Sequence, residues 1–504
     1  MKKIKEITKN KWDLLSLLVI LGIASYVIVL NGDFLVDDLD LIVENEQIKS
    51  LGNFFSFFTS SPIGGALSDL YRPLHTLMNA LIYSLFELNP APYHFVNILF
   101  HIANSYLVYK LLKVFKFSDI ARLLGALLFL LHPVQTESVA YVAGLPEPMG
   151  AFFVLSGLLV FVAGIKSKKN FWKYLLASVG IFCLALLSKE AMVIFVPLSL
   201  LLVLYLWGGL NKKAKKKSLY GLGVFAVLAC LYLYLKFTYL HFGGEEIELA
   251  KESIYTESLY LRLINFIYVL WDYMVLIVFP LDLFFIKPYS GVDTLFNLQG
   301  IVSVLGLLAG LVLAGLSYRK KKIVFVGVLW FLFAMIPYSG IVPLNAIYFE
   351  HWLYISILGW IIPFIYLFDY FKKSQTKKNF LIISLAILVL FMGRTIMRNY
   401  EWANLQGFYE NEIEHDAPHL WFYYDLGSIY FESGKTTEAI EVFEKAINLF
   451  PDDASLHYNL AIVSIQLGDL EAAQNSAQKI LTINPEDQSA IEILNYIEVL
   501  QADL

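Results

Sequence analysis

The sequence is poor in charge. Only 16% of its 504 residues are Asp, Glu, Lys or Arg, where a soluble globular chain carries about 25%. The first 400 residues cannot clothe a soluble core, which excludes a soluble enzyme. The net charge of -5 is small, and no basic stripe with interleaved aromatics lies outside short lysine clusters, so nucleic acid is not an expected partner. Cysteine is almost missing. Cys183 and Cys230 both sit in apolar runs, which gives neither a disulfide framework nor a thiolate metal site. The patterns G-x-x-x-x-G-K-[ST], H-E-x-x-H, G-x-S-x-G and C-x-x-C are all absent, leaving no signature of the chemistries they serve.

What the sequence does have is hydrophobicity, at 58% of residues, and aromatics, at 16%. From about 12 to 397 it is a series of apolar stretches of 17 to 22 residues, and from about 401 it turns acidic and helix-forming. That shift divides a membrane domain, 1–400, from a soluble one, 401–504. The opening MKKIKEITKNK is basic, and no small-x-small cleavage site follows the apolar 12–30, so it reads as an uncleaved first helix. Spans must be helical, because hydrocarbon offers backbone polar groups no other partner.

Lysine and arginine clusters at 2–11, 110–122, 166–173, 212–217, 319–322 and 372–378 set the orientation. With each in the cytoplasm, eleven crossings result: 12–31, 92–113, 119–131, 148–165, 171–187, 191–208, 218–238, 298–318, 321–338, 350–370 and 379–397. The N-terminus is then cytoplasmic and the C-terminus extracytoplasmic. Residues 262–280 would reverse every later cluster if they crossed, so they read as re-entrant or surface-lying. The segment 74–88, with His75, Asn79 and Glu87, reads as a helix at the outer interface. The first outer loop is acidic, holding Asp33, Asp37, Asp38, Asp40, Glu44, Glu46 and Asp69 against Lys49 and Arg72.

Residues 420–485 repeat with period 34: Leu426 is answered by Leu460, Gly434 by Gly468, Ala439 by Ala473 and Pro451 by Pro485. Small residues fall where paired helices approach, and Gly and Pro punctuate the turns. The pattern Tyr423, Leu426, Gly427, Tyr430, Ala439, Phe443, Ala446 and Pro451 resembles a tetratricopeptide repeat. Such a stack either offers a groove to a polypeptide or braces the membrane domain.

Polar residues that could carry chemistry gather on the outer side. Asp37 and Asp38 follow the first span, and adjacent carboxylates at a membrane surface are costly unless each has a partner or a task. Arg72 and His75 lie in LYRPLHTLMN; His94 opens a polar stripe along a span; His132 and Glu137 lie in LLHPVQTES. Glu147, the pair Lys189 and Glu190, the pair Glu350 and His351, and Arg394 with Arg398 complete the set. Each histidine could equally be a packed core residue, and each charge pair a structural ion pair. Together the cations suit an anionic headgroup, with guanidinium groups giving bidentate phosphate contacts.

In order along the chain, F-x-x-D-D at 34–38, YRPL at 71–74, Y-H-x-x-N at 93–97, L-H-P-x-x-T-E at 131–137, LSKE at 187–190 and R-N-x-x-W at 398–402 resemble the multi-spanning C-type glycosyltransferases that use lipid-phosphate sugars. The likeness is greatest to the transmembrane and tetratricopeptide-repeat O-mannosyltransferases and their bacterial relatives. Two arginines common in relatives are missing, with Gly144-Leu-Pro-Glu147 in place of G-R-A-E and Glu350-His351 in place of E-R. The resemblance implies an all-α GT-C-like membrane domain of about eleven transmembrane helices followed by an α-solenoid. It also implies a transferase moving mannose or another hexose from polyprenyl phosphate to an extracytoplasmic acceptor, a protein Ser or Thr hydroxyl foremost.

By that resemblance Asp37 is the base and Asp38 its orienting or acceptor-contacting neighbour, with Arg72, Lys189, Arg394 and Arg398 as phosphate ligands. The lipid-linked sugar is the donor. The paired acids could hold a divalent cation, while relatives acting on lipid monophosphates imply a metal-independent reaction. The implied setting is a bacterial-type plasma (inner) membrane. A non-catalytic membrane-anchored repeat scaffold is the alternative, and a lipid or glycan acceptor stays open; a transporter would show matching halves, which are absent here.

Overall fold

The computed structural model describes residues 10–59, 71–239, 258–287, 289, 291–344, 346–415 and 419–502. Asp69 and the basic residues 2–9 lie outside them, as do the side chains of 319–320. Every regular element among the described residues is helical. The chain forms two compact units: residues 1–283 with 289–403, and residues 404–504 with 284–288.

Among the described residues of the first unit nine helices are long and apolar enough to cross a membrane, or up to eleven when two bent pairs each count as one span. The bends have local causes. Pro133 cannot continue the helix Asp119–Leu131, and the residue before it, His132, is forced to extended backbone; the axis turns by 52°. A second pair, Glu350–Ser356 and Leu358–Tyr370, is bent by 48°. The short helix Pro73–Phe86 is not among the candidate spans.

The helix Leu259–Val278 has the length and apolarity of a span, and it is unbroken, so it is not a re-entrant hairpin. Its side chains tie it to the connection that follows Tyr338. Near its start Arg262 Nε donates to Gly340 O at 2.7 Å, and towards its end Tyr273 Oη donates to Phe349 O at 3.1 Å. Both acceptors belong to the connection 339–349, whose two ends join the same charged layer described below.

The second unit stacks Leu405–Glu414, Leu420–Glu432, Thr436–Leu449, Ala454–Leu467, Leu470–Ile483 and Gln488–Ala502. Buried Ala439, Ala446, Ala473 and Ala477 line the helix contacts. Gly427 leaves space that the Phe443 ring takes up. Gly434 and Gly468 turn the chain between helices at φ of 74° and 83°. Residues 284–288, read from sequence as part of a membrane-domain loop, belong to this unit because fully buried Glu412 accepts the N–H groups of Phe285 at 2.8 Å and Ile286 at 3.1 Å.

Candidate active site

The acidic pair is split by its surroundings. After the turn Val27–Asn31 the chain leaves the first helix, and Leu35 to Asp38 close a tight turn, Asp38 N–H donating to Leu35 O at 2.8 Å. The Asp38 carboxylate accepts Leu35 N–H at 3.0 Å and Ala143 N–H at 2.7 Å, and its side chain is buried. Asp38 thereby staples this loop to the turn at 142–144. Between them Val36 has a φ of 46°, a left-handed conformation strained for a β-branched residue by about 1–3 kcal/mol.

Asp37 is half-buried instead. Its N–H donates to Tyr141 Oη at 2.9 Å, and that hydroxyl also hydrogen-bonds its carboxylate. Burial lifts the Asp37 pKa above the usual carboxylate range; the Asp40 charge adds to this, while Tyr141 and the Arg72 guanidinium oppose it. Burial also pushes Asp38 well up, against its two backbone N–H bonds. A half-buried carboxylate with a raised pKa is poised as a proton acceptor.

Helix interruptions present the other charges. Arg72 precedes the Pro at the start of Pro73–Phe86 and reaches Glu190 through Nη2 at 3.0 Å and Nε at 3.3 Å. Lys189 is an extended residue ending Phe171–Ser188, and its Nζ lies 2.5 Å from Glu147 Oε1. Glu147 sits in the first turn of Pro146–Lys166 and also accepts from Tyr338 Oη at 3.1 Å. Glu137, beyond the Pro133 bend, accepts His351 N–H at 2.7 Å and meets His351 Nδ1 at 2.5 Å.

Arg398 and Arg394 converge on Glu401, at 2.7 and 3.3 Å, one helix face carrying all three. The Arg398 guanidinium lies 5.3 Å over the Trp402 ring, which stacks on Tyr141 at 5.7 Å. A contact line therefore runs from Asp37 through Tyr141 and Trp402 to Arg398. Arg398, Lys189 and Glu147 are within electrostatic reach of Glu137, and Lys189, Glu147 and Arg72 within reach of His351. These residues form one charged layer.

Three more histidines singled out from sequence have their own hydrogen-bond partners, and His132 also lines the apolar cavity described below. His75 is buried against Asn79 at 3.3 Å, and burial, with the Arg72 charge, lowers its pKa to about 3, so it is neutral. His94 Nδ1 lies 2.7 Å from Ala140 O, and His132 Nε2 lies 2.9 Å from Ile277 O. The stripe containing His94 pins the bend at 132–148, since Asn97 donates to Tyr141 O and Asn104 to Pro148 O. Glu350 is buried beside His351.

Sequence reasoning missed Tyr141, Tyr338 and Trp402 as partners of the charges, and it missed Tyr232 and Lys236. The Tyr232 hydroxyl is buried, without a hydrogen-bond partner among the described residues, and within reach of Glu190, Tyr71 and Arg72. Lys236, four residues on, faces Glu190. A lysine in the last turn of an apolar run was the available signal. Among the described residues no three His, Cys, Asp or Glu side chains converge to hold a metal ion. Asp38, with a backbone N–H on each oxygen, is poorly placed to share a cation with Asp37.

An apolar cavity of about 540 Å³ opens beside this layer, walled by Leu128, Ile277, Trp360, Ile361 and Phe391, with Arg394 the charged side chain in its lining. Arg394 Nε and Nη2 both donate to Leu281 O, which aims the guanidinium.

The family profile described as dolichyl-phosphate-mannose-protein mannosyltransferase matches residues 72–235, and two tetratricopeptide-repeat profiles match 427–468 and 454–487. The chain is similar to protein O-mannosyl-transferases. The protein O-mannosyl-transferase F38B6.6 of Caenorhabditis elegans is 26% identical over 87% of this chain and 63% of its own length. TMTC4 of Homo sapiens, a protein of the same description, is 24% identical over 82% of this chain and 63% of its own. The chain thus spans under two thirds of the length of these relatives. Among solved structures, the archaeal oligosaccharyltransferase AglB from Archaeoglobus fulgidus, in complex with an inhibitory peptide and a dolichol-phosphate, overlaps with a TM-score of 0.46 at 14% identity, covering 82% of this chain and 60% of that one. That overlap is too loose to speak for the site.

Proposed function

We propose that the chain is a C-type glycosyltransferase that moves mannose or another hexose from polyprenyl phosphate to a Ser or Thr hydroxyl of a polypeptide outside the cytoplasm, with inversion at the anomeric carbon. The observation that carries this reading is the half-buried Asp37 carboxylate, its pKa raised, joined by Tyr141 and Trp402 to the Arg398 guanidinium. A base and a phosphate-binding cation are the two parts such a transfer needs.

The polyprenyl chain lies in the apolar cavity, which puts its phosphate at Arg394 and Arg398. Both guanidinium groups reach the Glu401 carboxylate, which aims them together. Arg72 and Lys189, each tied to its own carboxylate, hold the shape and field of the site. Asp37 takes the proton of the acceptor hydroxyl as its oxygen bonds to the anomeric carbon. The bond from that carbon to the phosphate oxygen breaks, and its electron pair leaves on the polyprenyl phosphate. The cations stabilise the charge growing there. Phosphate is a good leaving group, so no strong general acid is needed. The reaction proceeds without a metal.

The repeat unit supports a polypeptide acceptor: Tyr458, Ile462, Glu492 and Tyr496 border a groove of about 400 Å³ on it. The protein sits in a bacterial-type plasma membrane, N-terminus inside and repeats outside; tags at residues 45 and 495 in intact cells test that placement. For the activity, purified full-length protein in liposomes is given radiolabelled hexosyl polyprenyl phosphates and a Ser/Thr-rich peptide. Label in the peptide is expected from at least one donor. Release of no label from any hexosyl polyprenyl phosphate, to peptide, lipid or glycan, overturns the reading and leaves the scaffold.

A further inference from the structure

A second cavity, of about 500 Å³, lies at the lysine-rich end of the helix bundle. It is formed where Pro146–Lys166 ends and Lys212–Tyr234 begins, and Lys166, Lys168, Lys213 and Lys217 line it with Ser167 and Asn211. Among the described residues no carboxylate is in its wall. The Lys217 Nζ is drawn inward to Ser167 O at 2.6 Å, and Lys116 adds a further positive charge within reach of Lys166.

The arrangement raises positive potential where a fold normally lowers it. Cations are disfavoured in a helix's first turn, where the macrodipole is already positive. The helix Lys212–Tyr234 places Lys212, Lys213 and Lys215 there with no acidic residue. Asn211 caps it by accepting Ala214 N–H at 2.9 Å, which fixes the turn without neutralising it. Acids elsewhere in the helix connections are already engaged, Asp119 with Arg122 and Asp369 with Ser118. Orientation of the chain alone asks for lysines near the bilayer, not for four around one concavity.

We infer that this cavity binds the headgroup of an anionic phospholipid carrying more than one negative charge. The ligand chemistry is phosphate. The source is lipid because the pocket is built from the ends of apolar helices of spanning length, where headgroups are concentrated and basic pockets between helices hold them. This site is separate from the charged layer, sharing no residue with it, and does not depend on the proposed reaction.

The test is native mass spectrometry and thermal melting of the purified full chain in detergent, with cardiolipin, phosphatidylcholine or inorganic phosphate added. Cardiolipin is expected to stay bound and raise the melting temperature, and phosphatidylcholine to do neither. Two separate double variants, K166Q/K213Q and K168Q/K217Q, are each expected to weaken cardiolipin binding roughly 25-fold, about fivefold per lysine. The variant K372Q/K373Q, in a lysine cluster outside the cavity, is expected to keep wild-type binding. Equal loss in that control means general surface attraction and overturns the inference. So does unchanged cardiolipin binding in a double variant that melts like wild type without lipid. Stabilisation by inorganic phosphate equal to that by cardiolipin overturns the lipid source.

Discussion

Asp37 and Asp38 are neighbours in sequence with opposite physical duties, and substituting each separates them. Asp37→Asn removes a carboxylate whose folded pKa lies above its unfolded one, owing first to burial. Such a group's contribution to stability is fully present below its unfolded pKa and is lost as pH rises through the folded pKa. At neutral pH, ionised Asp37 is therefore a cost, and Asp37→Asn should melt no lower than wild type. Transfer should fall by about 10²- to 10⁴-fold, the range for losing a general base.

Asp38→Ala does the reverse. It removes two charge-assisted bonds to backbone N–H groups, of 2.7 and 3.0 Å, each worth roughly 1.5–3 kcal/mol. Relief of the Asp38 desolvation offsets part of that, leaving a net loss of about 2–4 kcal/mol out of the ~5–15 kcal/mol that holds a typical domain. It also frees strained Val36 and displaces Asp37. The assay is thermal melting in detergent beside transfer from a hexosyl polyprenyl phosphate. Full transfer in Asp37→Asn, or Asp38→Ala melting like wild type, refutes this division of labour.

Other perturbations follow from the same geometry. Transfer should fall as pH drops through the Asp37 pKa, above the ~3.9 of an unperturbed Asp. Because the Asp40 charge helps raise that pKa, Asp40→Asn should move the acid limb of kcat to lower pH. Transfer should persist in excess chelator; loss of activity restored by a divalent cation contradicts the metal-free route. Glu412→Gln weakens the bonds to Phe285 and Ile286, costing about 1.5–3 kcal/mol, and should speed trypsin cleavage at Lys287; an unchanged cleavage rate contradicts the role given to Glu412.

The parts legible in the sequence are those with a local signal. Apolar run length marks most of the spanning helices, and the 34-residue period marks the repeats, because Gly427, Ala439 and Ala473 must be small wherever such helices meet. The charged residues stood out as exceptions in apolar surroundings. Their pairing did not. Arg72 with Glu190 is 118 residues apart, and Glu137 with His351 is 214, distances over which no sequence spacing speaks. Tyr141 and Trp402 were hidden for another reason: aromatics make up 16% of the chain, so one that bridges Asp37 to a guanidinium resembles all the others. The partners of His94 and His132 were not legible either, since each meets a backbone carbonyl far along the chain, Ala140 O and Ile277 O.

The most direct measurement is the stereochemistry of a single turnover. Purified full-length protein is given a hexosyl polyprenyl phosphate of known anomeric configuration and a Ser/Thr peptide, and the glycopeptide is read by NMR. Direct displacement assisted by Asp37 predicts a product of opposite configuration to the donor in wild type and none above background in Asp37→Asn. A product with the donor's configuration, or one formed equally well by the variant, contradicts it.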